Sequence, residues 1–311
     1  MSQIGMNQVE YVSHADIATQ QWDQCIKSSF NGSVEAYSWY LNLFCDQWDA
    51  LIEGDYKTVM PLPVKKKLGQ MMIFMPPFTN QLGIYSPEQL TVSQTTAFLT
   101  LLKERFQVIN FNINKYTPLP EGIVPLHHET CFELDLIRPY LRTVKEYSPE
   151  CRNKLHLAAA RQYSIIRGVA PNDLITLIKN KKIKQDAAIA ADDYKLLRML
   201  TSAVIRYKTG ELYGAFNQVN MLGCVALFVW SNNNVMLLFT AATEEALADH
   251  AHLLLYDRFI EKYSETNVTL NFQFRNTMHT PEVYTGFGAT ESHFQCIRLK
   301  HLPFYIRPFF Y

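Results

Sequence analysis

The chain has 311 residues, a length that predicts two domains or one large domain. Apolar residues make up 48% and charged residues 19% of it, which is typical of a globular protein and excludes a disordered one. Lys and Arg number 29, as do Asp and Glu, so the formal net charge is zero. This balance argues against a protein whose whole surface binds nucleic acid.

The neutral total conceals two halves of opposite charge. Residues 1–140 contain 9 basic and 14 acidic side chains, whereas residues 141–311 contain 20 basic and 15 acidic ones. The stretch 142–184 alone has 10 basic and 3 acidic residues. Such a segment is either a surface that attracts a phosphate-rich ligand or a solvated helix face that attracts the acidic first half.

The sequence indicates a cytoplasmic protein. Its N-terminus lacks a basic segment followed by an apolar core, so no signal peptide is expected. The longest apolar run, Met221 to Trp230, is far shorter than the roughly 20 residues of a membrane-spanning helix. Scattered cysteines without metal-binding spacing predict free and mostly buried thiols at Cys25, Cys45, Cys131, Cys151, Cys224 and Cys296.

The first half predicts an alternation of helices and strands. A charged turn, Lys65 to Gly69, joins two strands into a hairpin, and an irregular loop with the sequence PPFTNQLG follows at 76–83. In chain order we predict helices over 17–27 and 36–44, strands over 50–53, 57–64 and 70–75, a helix over 88–105, and strands over 107–113 and 130–136.

The second half begins with Ser148-Pro149, a favourable helix start because Ser caps the helix and Pro is tolerated at its first position. In chain order we predict helices over 148–162, 173–180 and 193–208, strands over 212–218, 221–230 and 235–240, a helix over 244–263, a strand over 268–274, a short helix at Thr280-Pro281-Glu282, and a strand over 292–299.

The two halves share one order of elements: helices, three strands, a long helix and further strands. INFNIN at 109–114 and LNFQF at 270–274 occupy matching places in that order. We therefore predict an α/β protein with mixed sheets and two copies of one domain. In each half a helix connects the last of the three strands to the next strand. Such a helical connection is typical of parallel strands, so we expect some parallel pairing in each half.

Several short segments along the chain carry a resemblance to a known family. They are YSWYL at 37–41, MPLP at 60–63, PPFTNQLGIYS at 76–86, YSPECRNKL at 147–155, NF at 271–272 and YTGFGA at 284–289. These segments resemble tandem-GNAT proteins of the Fem type, the aminoacyl-tRNA-dependent peptidyltransferases, and their bacterial acetyltransferase-like relatives. The resemblance implies an N-terminal GNAT-like domain at 1–140, a C-terminal one at 141–302, and a ligand groove between them. It also implies that the tail 303–311 packs back on the N-terminal domain.

Neither half has the glycine-rich loop with which an acetyl-CoA-dependent GNAT binds pyrophosphate. In the second half the corresponding segment, 240–246, contains no glycine, and Glu244 and Glu245 place negative charge where the pyrophosphate would bind. The first half has a single glycine and Pro77, which lacks an N–H group. The acyl donor is then either an acyl-CoA held by an atypical loop or an aminoacyl-tRNA, since Fem-type enzymes also lack this loop.

Candidate substrate-binding residues come from both halves. Tyr37, Trp39 and Tyr40 either stack on a ligand or pack in the core, and Asn80 and Gln81 form either a ligand-facing loop or an ordinary turn. Arg152 is the best single candidate, because the resemblance places its helix at the groove. The remaining predicted substrate-binding residues are Tyr147, Asn217, Arg275 and Tyr284.

No metal site is expected. His127-His128 lack a Cys or carboxylate partner at ligand spacing, and His250 and His252 point to different faces of a helix. Cys151, near a helix N-terminus, is either an activated nucleophile or a buried thiol, and its apolar neighbours favour the latter. Acyl transfer to an amine needs alignment and oxyanion stabilisation more than a catalytic base, so catalytic residues stay unassigned.

Three functions are consistent with these features. The leading hypothesis is an acyl- or aminoacyl-transferase acting on an amine, with a small molecule or a cell-wall precursor as acceptor and tRNA as a candidate partner. The alternative is a non-catalytic ligand-binding or scaffold protein on a degenerate GNAT frame. The third is an acyl-CoA-dependent N-acetyltransferase, which the charges of Glu244 and Glu245 disfavour.

Overall fold

A computed structural model describes residues 8–179, 183–185, 193–272 and 280–301 of the chain. Contacts divide these into two compact units, 8–129 with 293–301, and 130–292. Arg275, a predicted substrate-binding residue, and the tail 303–311, which we predict to pack on the first domain, lie outside the described residues.

The described residues of the first unit form three α-helices and a set of paired strands. Short 3-10 turns at His14–Asp16 and Val34–Ala36 precede α1 and α2. Its elements are β1 (Val9–Val12), α1 (Thr19–Ser28), α2 (Ser38–Phe44), β2 (Trp48–Glu53), β3 (Thr58–Lys67), β4 (Gln70–Ile73), α3 (Val92–Arg105), β5 (Val108–Ile113) and, from residue 293 onward, β13 (Thr290–Lys300).

The described part of the second unit has more helices packed around its strands. Its described elements are β6 (Leu126–Asp135), α4 (Tyr140–Glu146), α5 (Pro149–Ala160), β7 (Ser164–Arg167), α6 (Pro171–Lys179), β8 (Ile183–Gln185), α7 (Asp193–Arg206), β9 (Gly210–Phe216), β10 (Leu222–Ser231), β11 (Asn234–Thr243), α8 (Glu244–Ala248), α9 (Ala251–Tyr263), β12 (Thr269–Phe272) and α10 (Pro281–Gly286).

The strands of each unit pair in both directions, and each unit has a parallel pair where a helix crosses over. In the first unit the strand order is β1-β2-β3-β4-β5-β13, and among these described strands β4 and β5, which α3 connects, are the parallel pair. In the second unit the order is β6-β12-β11-β10-β9-β7, with β8 on β11, and β11 and β12 are parallel across α8 and α9. The predicted mixed α/β class and the predicted parallel crossings are confirmed.

Each unit buries its own apolar core, which is why apolar residues dominate the strands. Trp22, Trp48 and Phe98 are fully buried in the first unit. Tyr213, Phe228 and Phe259 play this part in the second, where the rings of Phe228 and Phe259 stack with centroids 4.0 Å apart. Burial of such rings is the main stabilising contribution in a domain of this size.

The predicted five-residue turn at Lys65–Gly69 is wrong. β3 continues through Lys67, and the turn consists of Leu68 and Gly69 alone, both with positive φ (49° and 79°). Two residues with positive φ form the hairpin turn whose twist matches that of the strands. The lysines therefore belong to the exposed end of the strand.

The single helix predicted over 244–263 is also wrong. α8 ends at Ala248, His250 adopts φ of 60°, and α9 begins at Ala251. At the break, the Asp249 carboxylate accepts a hydrogen bond from the Tyr163 hydroxyl (3.1 Å) and forms an ion pair with Arg161 (2.9 Å). These partners are distant in sequence, so the helical periodicity of the segment does not reveal the break.

Candidate functional site

Where β4 ends, a loop segment of the first unit takes its place between β3 and β5. Beyond Ile73, the segment Leu82–Tyr85 lies beside β5 and also pairs with β3. The Leu82 N–H donates to Asn112 O at 3.0 Å and the Asn114 N–H donates to Leu82 O at 2.7 Å. Two further bonds, 2.8 and 2.9 Å long, join the backbones of Tyr85 and Val59.

A buried carboxylate holds the start of this segment. Glu35 is 1% exposed, and it accepts hydrogen bonds from the Asn80 N–H at 2.7 Å and the Gln81 N–H at 3.3 Å. Tyr40, fully buried on α2, donates its hydroxyl to Phe78 O. The structure thus brings three predicted site residues, Tyr40, Asn80 and Gln81, to one anchored loop.

A chain of polar side chains extends from this loop across β5 and β13. Asn112 Nδ2 donates to Asn80 O at 2.8 Å, and Arg298 donates to Asn112 Oδ1 and to Glu129 Oε1, both at 2.7 Å. Asn112 is fully buried. Sequence reasoning missed Glu35, Asn112 and Arg298. The available signal was Asn112, an amide inside an otherwise apolar strand end.

The aromatic residues before the loop divide into a core residue and two half-buried ones. The Tyr40 ring packs on Phe44 at 5.0 Å and on Trp39 at 5.6 Å. Tyr37 and Trp39 are half-buried, as is Gln81. Burial raises the pKa of the Tyr37 hydroxyl, with the Asp23 carboxylate adding to the effect, so this group stays a neutral hydrogen-bonding group. Tyr37, Trp39 and Gln81 are the members of the predicted set that retain surface for a ligand here.

In the second unit, two predicted site residues belong to the core. Tyr147 is 2% exposed and donates its hydroxyl to Asp257 at 2.9 Å, as Tyr140 also does at 2.9 Å. Burial is the largest cause that raises the pKa of Tyr147, and the Asp257 carboxylate adds to it. Tyr284 is also buried, with its ring 4.8 Å from that of Phe272.

The other predicted residues of this unit lie in different surroundings. Arg152 is exposed on α5, and its Nη1 donates to Lys145 O at 3.4 Å. Asn217 closes the β9–β10 turn, where its Oδ1 accepts from the N–H groups of Val219 (3.2 Å) and Met221 (2.9 Å). Of these two, Arg152 is the exposed charged group available to an anion.

Part of the basic segment 142–184 is paired with acidic side chains. Lys154 contacts Glu150 at 2.6 Å, and Arg167 contacts Glu211 at 2.9 Å. Arg142 and Arg152 are exposed. Glu150 is already counted among the 3 acidic residues of the segment, so of these two pairs only the one with Glu211, outside the segment, offsets part of the excess of basic residues.

A cavity of about 220 Å³ lies beside the first turn of α5. Cys151 at its wall is 6% exposed, and burial raises the pKa of its thiol to about 12, which excludes an activated thiolate. All six cysteines are free and buried, as predicted. The cavity is lined by Ser148, Glu150, Cys151, Lys154, Leu253, Thr280, Glu282 and Val283.

The position after β11 offers no cradle for a pyrophosphate. Thr243 caps α8, its hydroxyl accepting from the Ala246 N–H at 3.1 Å. Glu244 and Glu245 are exposed in the first turn of this five-residue helix. The Ala246 N–H, one of the donors that a phosphate would use, is thus already bonded to the Thr243 hydroxyl. The carboxylates of Glu244 and Glu245 lie beside the other N–H groups of the first turn and would repel a phosphate.

The described residues contain neither a cluster of metal-binding side chains nor a membrane-spanning helix. No group of three or more His, Cys, Asp or Glu side chains there is arranged to hold a metal ion. In the same part of the chain, no helix combines the length and the hydropathy needed to cross a bilayer.

No protein-family model and no curated protein matches this sequence. Solved structures do match in fold. FemX superposes with a TM-score of 0.62 at 12% identity, over 94% of this chain and 98% of its own. The C-terminal domain of a putative lysylphosphatidylglycerol synthetase from Agrobacterium fabrum matches with 0.56 at 8% identity, over 90% of both chains. A conserved protein of unknown function from Bacteroides thetaiotaomicron matches with 0.56 at 8% identity, over 94% of this chain and all of that one.

These neighbours confirm the resemblance at the level of the fold. The chain has the same fold as FemX and as the synthetase domain. Because identities of 8–12% are too low to carry residue roles between chains, the fold match assigns no function to any single residue.

Proposed function

We propose that this protein is an acyl- or aminoacyl-transferase of the Fem type that acts on an amine acceptor. The observation that carries the proposal is the extent of the match with FemX, which takes in 94% of this chain and 98% of that one. A match of that extent covers both units and not one isolated GNAT-like domain.

The geometry after β11 supports a donor other than ordinary acyl-CoA. A pyrophosphate would meet the carboxylates of Glu244 and Glu245 and would find the Ala246 N–H already bonded to Thr243. We therefore propose an aminoacyl-tRNA as donor in preference to acyl-CoA. The acceptor class, a small-molecule or cell-wall-precursor amine, is part of the same proposal.

The chemistry requires little covalent machinery. The acceptor nitrogen attacks the ester carbonyl carbon, the bond to the donor's ester oxygen breaks, and the nitrogen gives its proton to water or to the departing oxygen. Alignment of the two reactants and N–H groups near the developing oxyanion supply the acceleration. We propose that Tyr37, Trp39 and Gln81 contact substrate and that Arg152 attracts its phosphate groups.

The test is a transfer and binding screen of the purified protein against acyl-CoAs, aminoacyl-tRNAs and cell-wall precursors. We expect transfer from an aminoacyl-tRNA and a several-fold weaker affinity for it in Arg152→Ala. Arg142→Ala removes another exposed arginine of the same basic segment and is the matched control. Binding of none of these compounds, together with no effect of Arg152→Ala, would sink the proposal.

The non-catalytic alternative has its own support. Tyr40, Tyr147 and Tyr284 are core residues and Asn217 is a turn residue, so much of the predicted site has a structural role. This alternative predicts that a ligand binds in calorimetry without any turnover in the transfer assay. Micromolar binding of acetyl-CoA would instead favour the third function, a CoA-dependent acetyltransferase.

A further inference from the structure

We propose that the exposed face of α7, with the residues that follow the helix, docks onto the surface of an anionic lipid bilayer. This inference goes beyond the proposed transferase activity and does not depend on it. We call this surface the α7 face and define it by Lys195, Arg198, Met199, Ser202, Ile205, Arg206, Tyr207 and Lys208.

The α7 face follows from the helical periodicity of the segment. Positions 195, 198, 199, 202, 205 and 206 are exposed, at the spacing that places residues on one side of a helix. Leu197, Leu200 and Val204 on the opposite side are fully buried. The helix is therefore anchored by its apolar side, and the opposite side presents an ordered surface.

The charge of the α7 face has one sign. Its four cations are Lys195, Arg198, Arg206 and Lys208, and residues 194–210 contain no Asp or Glu. Glu211, the next acidic residue, is bonded to Arg167 by two hydrogen bonds of 2.9 and 3.0 Å. In the described part of the chain no acidic side chain pairs with these four cations, so their charge complements an anionic partner.

Apolar side chains stand among these cations. Met199 is 41%, Ile205 43% and Tyr207 50% exposed. Nucleic acid phosphates attract cations but gain nothing from an exposed Met or Ile. A bilayer surface uses both, because headgroups attract Lys and Arg while the acyl boundary accepts apolar side chains and a Tyr at headgroup depth. The combination favours lipid over nucleic acid.

A recess lies at the end of the α7 face. Ile205 and Lys208 line a cavity of about 510 Å³, which is within the size range of ligand pockets. Its wall includes the rings of Trp230 and Tyr263, whose centroids are 5.3 Å apart. Glu211 also lines this recess, where its carboxylate pairs with Arg167 and Lys262. The recess therefore offers apolar surface at Ile205 and Trp230, and Lys208 is a lining cation for a lipid headgroup.

Vesicle sedimentation tests the inference. We expect the purified chain to bind vesicles of phosphatidylcholine mixed with phosphatidylglycerol at low salt, and to bind pure phosphatidylcholine vesicles far less. Because each cation near an anionic surface contributes roughly a fivefold change in partitioning, Arg198→Glu with Arg206→Glu should weaken binding by at least about 30-fold. The matched control reverses two exposed lysines of the first unit, Lys27→Glu with Lys103→Glu, and should weaken it much less.

A second variant separates apolar insertion from charge. Met199→Ser with Ile205→Ser keeps every cation and should still weaken vesicle binding severalfold, with circular dichroism verifying that the helix is retained. The inference is overturned if the anionic vesicles do not bind wild type, or if the two charge reversals weaken binding equally. It is also overturned if an RNA oligonucleotide binds through the arginines while the Met199 and Ile205 changes affect neither ligand, an outcome that would assign the α7 face to nucleic acid.

Discussion

At the scale of single residues, Asp257 shows how burial and hydrogen bonding compete. The tyrosines Tyr140 and Tyr147 both donate to its carboxylate, an arrangement that stabilises the charged form. Burial acts in the opposite direction and dominates, so the pKa of Asp257 is raised above its usual 3.8. The Asp257 carboxylate therefore connects α9 to Tyr140 at the start of α4 and to Tyr147 just after it. The free energy that its burial costs depends on pH, because only the charged form is destabilised by burial.

The first prediction concerns the pH dependence of stability. A raised folded-state pKa means that Asp257 favours the folded protein below pH 3.8, and that this contribution is lost as pH rises through the folded pKa. Wild type should therefore lose stability relative to Asp257→Asn over that window, as measured by urea unfolding at a series of pH values. Tyr147→Phe removes a bond to the charged form and should extend the window to higher pH. Parallel pH profiles for wild type and Asp257→Asn would refute this account.

At the scale of elements, the segment Leu82–Tyr85 determines the shape of the first unit's sheet. It bonds to both β5 and β3, so the chain completes its own sheet beyond β4. Gly83 within it has φ of 145°, a conformation that side chains rarely adopt. A Cβ at this position would lie 2.5 Å from Asn114 Nδ2. The glycine is thus required by both the backbone and its neighbour.

The second prediction follows from Gly83. Replacement by Ala should destabilise the protein by about 3 kcal/mol, since backbone strain and a steric clash combine. Gly69→Ala is the matched control, because Gly69 also has positive φ but nothing lies within 4 Å of its added Cβ. It should cost about 1 kcal/mol. Equal effects of the two substitutions in urea unfolding would show that the contact with Asn114 is unimportant.

The third prediction concerns the anchor of the same loop. Glu35→Ala leaves the N–H groups of Asn80 and Gln81 without the carboxylate and should cost about 3 kcal/mol. Glu35→Gln keeps one acceptor oxygen and should cost clearly less. If the loop is only loosely held, both variants will unfold at the same urea concentration as wild type.

At the scale of the whole molecule, the numbers of acidic and basic residues are equal because two halves of opposite net charge cancel. The acidic excess belongs to residues 1–140 and the basic excess to residues 141–311. In the structure some of the basic side chains of the second half are paired with acidic ones, as Lys154 is with Glu150, whereas the α7 face keeps four cations together. Net charge therefore says little about this protein, and the placement of its unpaired cations says more.

The fourth prediction also concerns the whole chain. Its six thiols are all buried, and burial raises the pKa of Cys25 and Cys296 to about 11 and of Cys45 and Cys151 to about 12. Because the thiolate is the reactive form, native protein should react with a disulfide reagent over hours, whereas unfolded protein should titrate all six at once. Rapid labelling of native Cys151 would contradict its burial.

Much of the fold could be predicted from local patterns. The apolar run at β10 and the Ser148-Pro149 start of α5 are signals carried within a few residues, and both elements form there. Unpredicted elements are those with weak local signals. β1 is held at its edge by Tyr11 bonded to Asp49, and β7 is a short edge strand whose residues are mostly exposed.

The candidate site was less predictable. Loop 76–83 was identified from its prolines and amides, but the residues that hold it come from elsewhere in the chain. Glu35 is 45 residues before Asn80, and Arg298 is 186 residues after Asn112. Tyr147 and Tyr284 were selected by a resemblance of short segments, which cannot distinguish an aromatic residue on a surface from one in a core.

Local sequence patterns are sufficient to predict the α/β class and the helix crossovers with their parallel strands, and to show that a glycine-rich phosphate loop is absent. These features depend on periodicity and on residue types within short stretches. The folded structure is needed to establish which charges are neutralised, which tyrosines are buried, and how loop 76–83 is anchored to β5 and Glu35. Those properties depend on contacts between residues far apart in the chain, and burial and electrostatic pairing exist only once such contacts have formed.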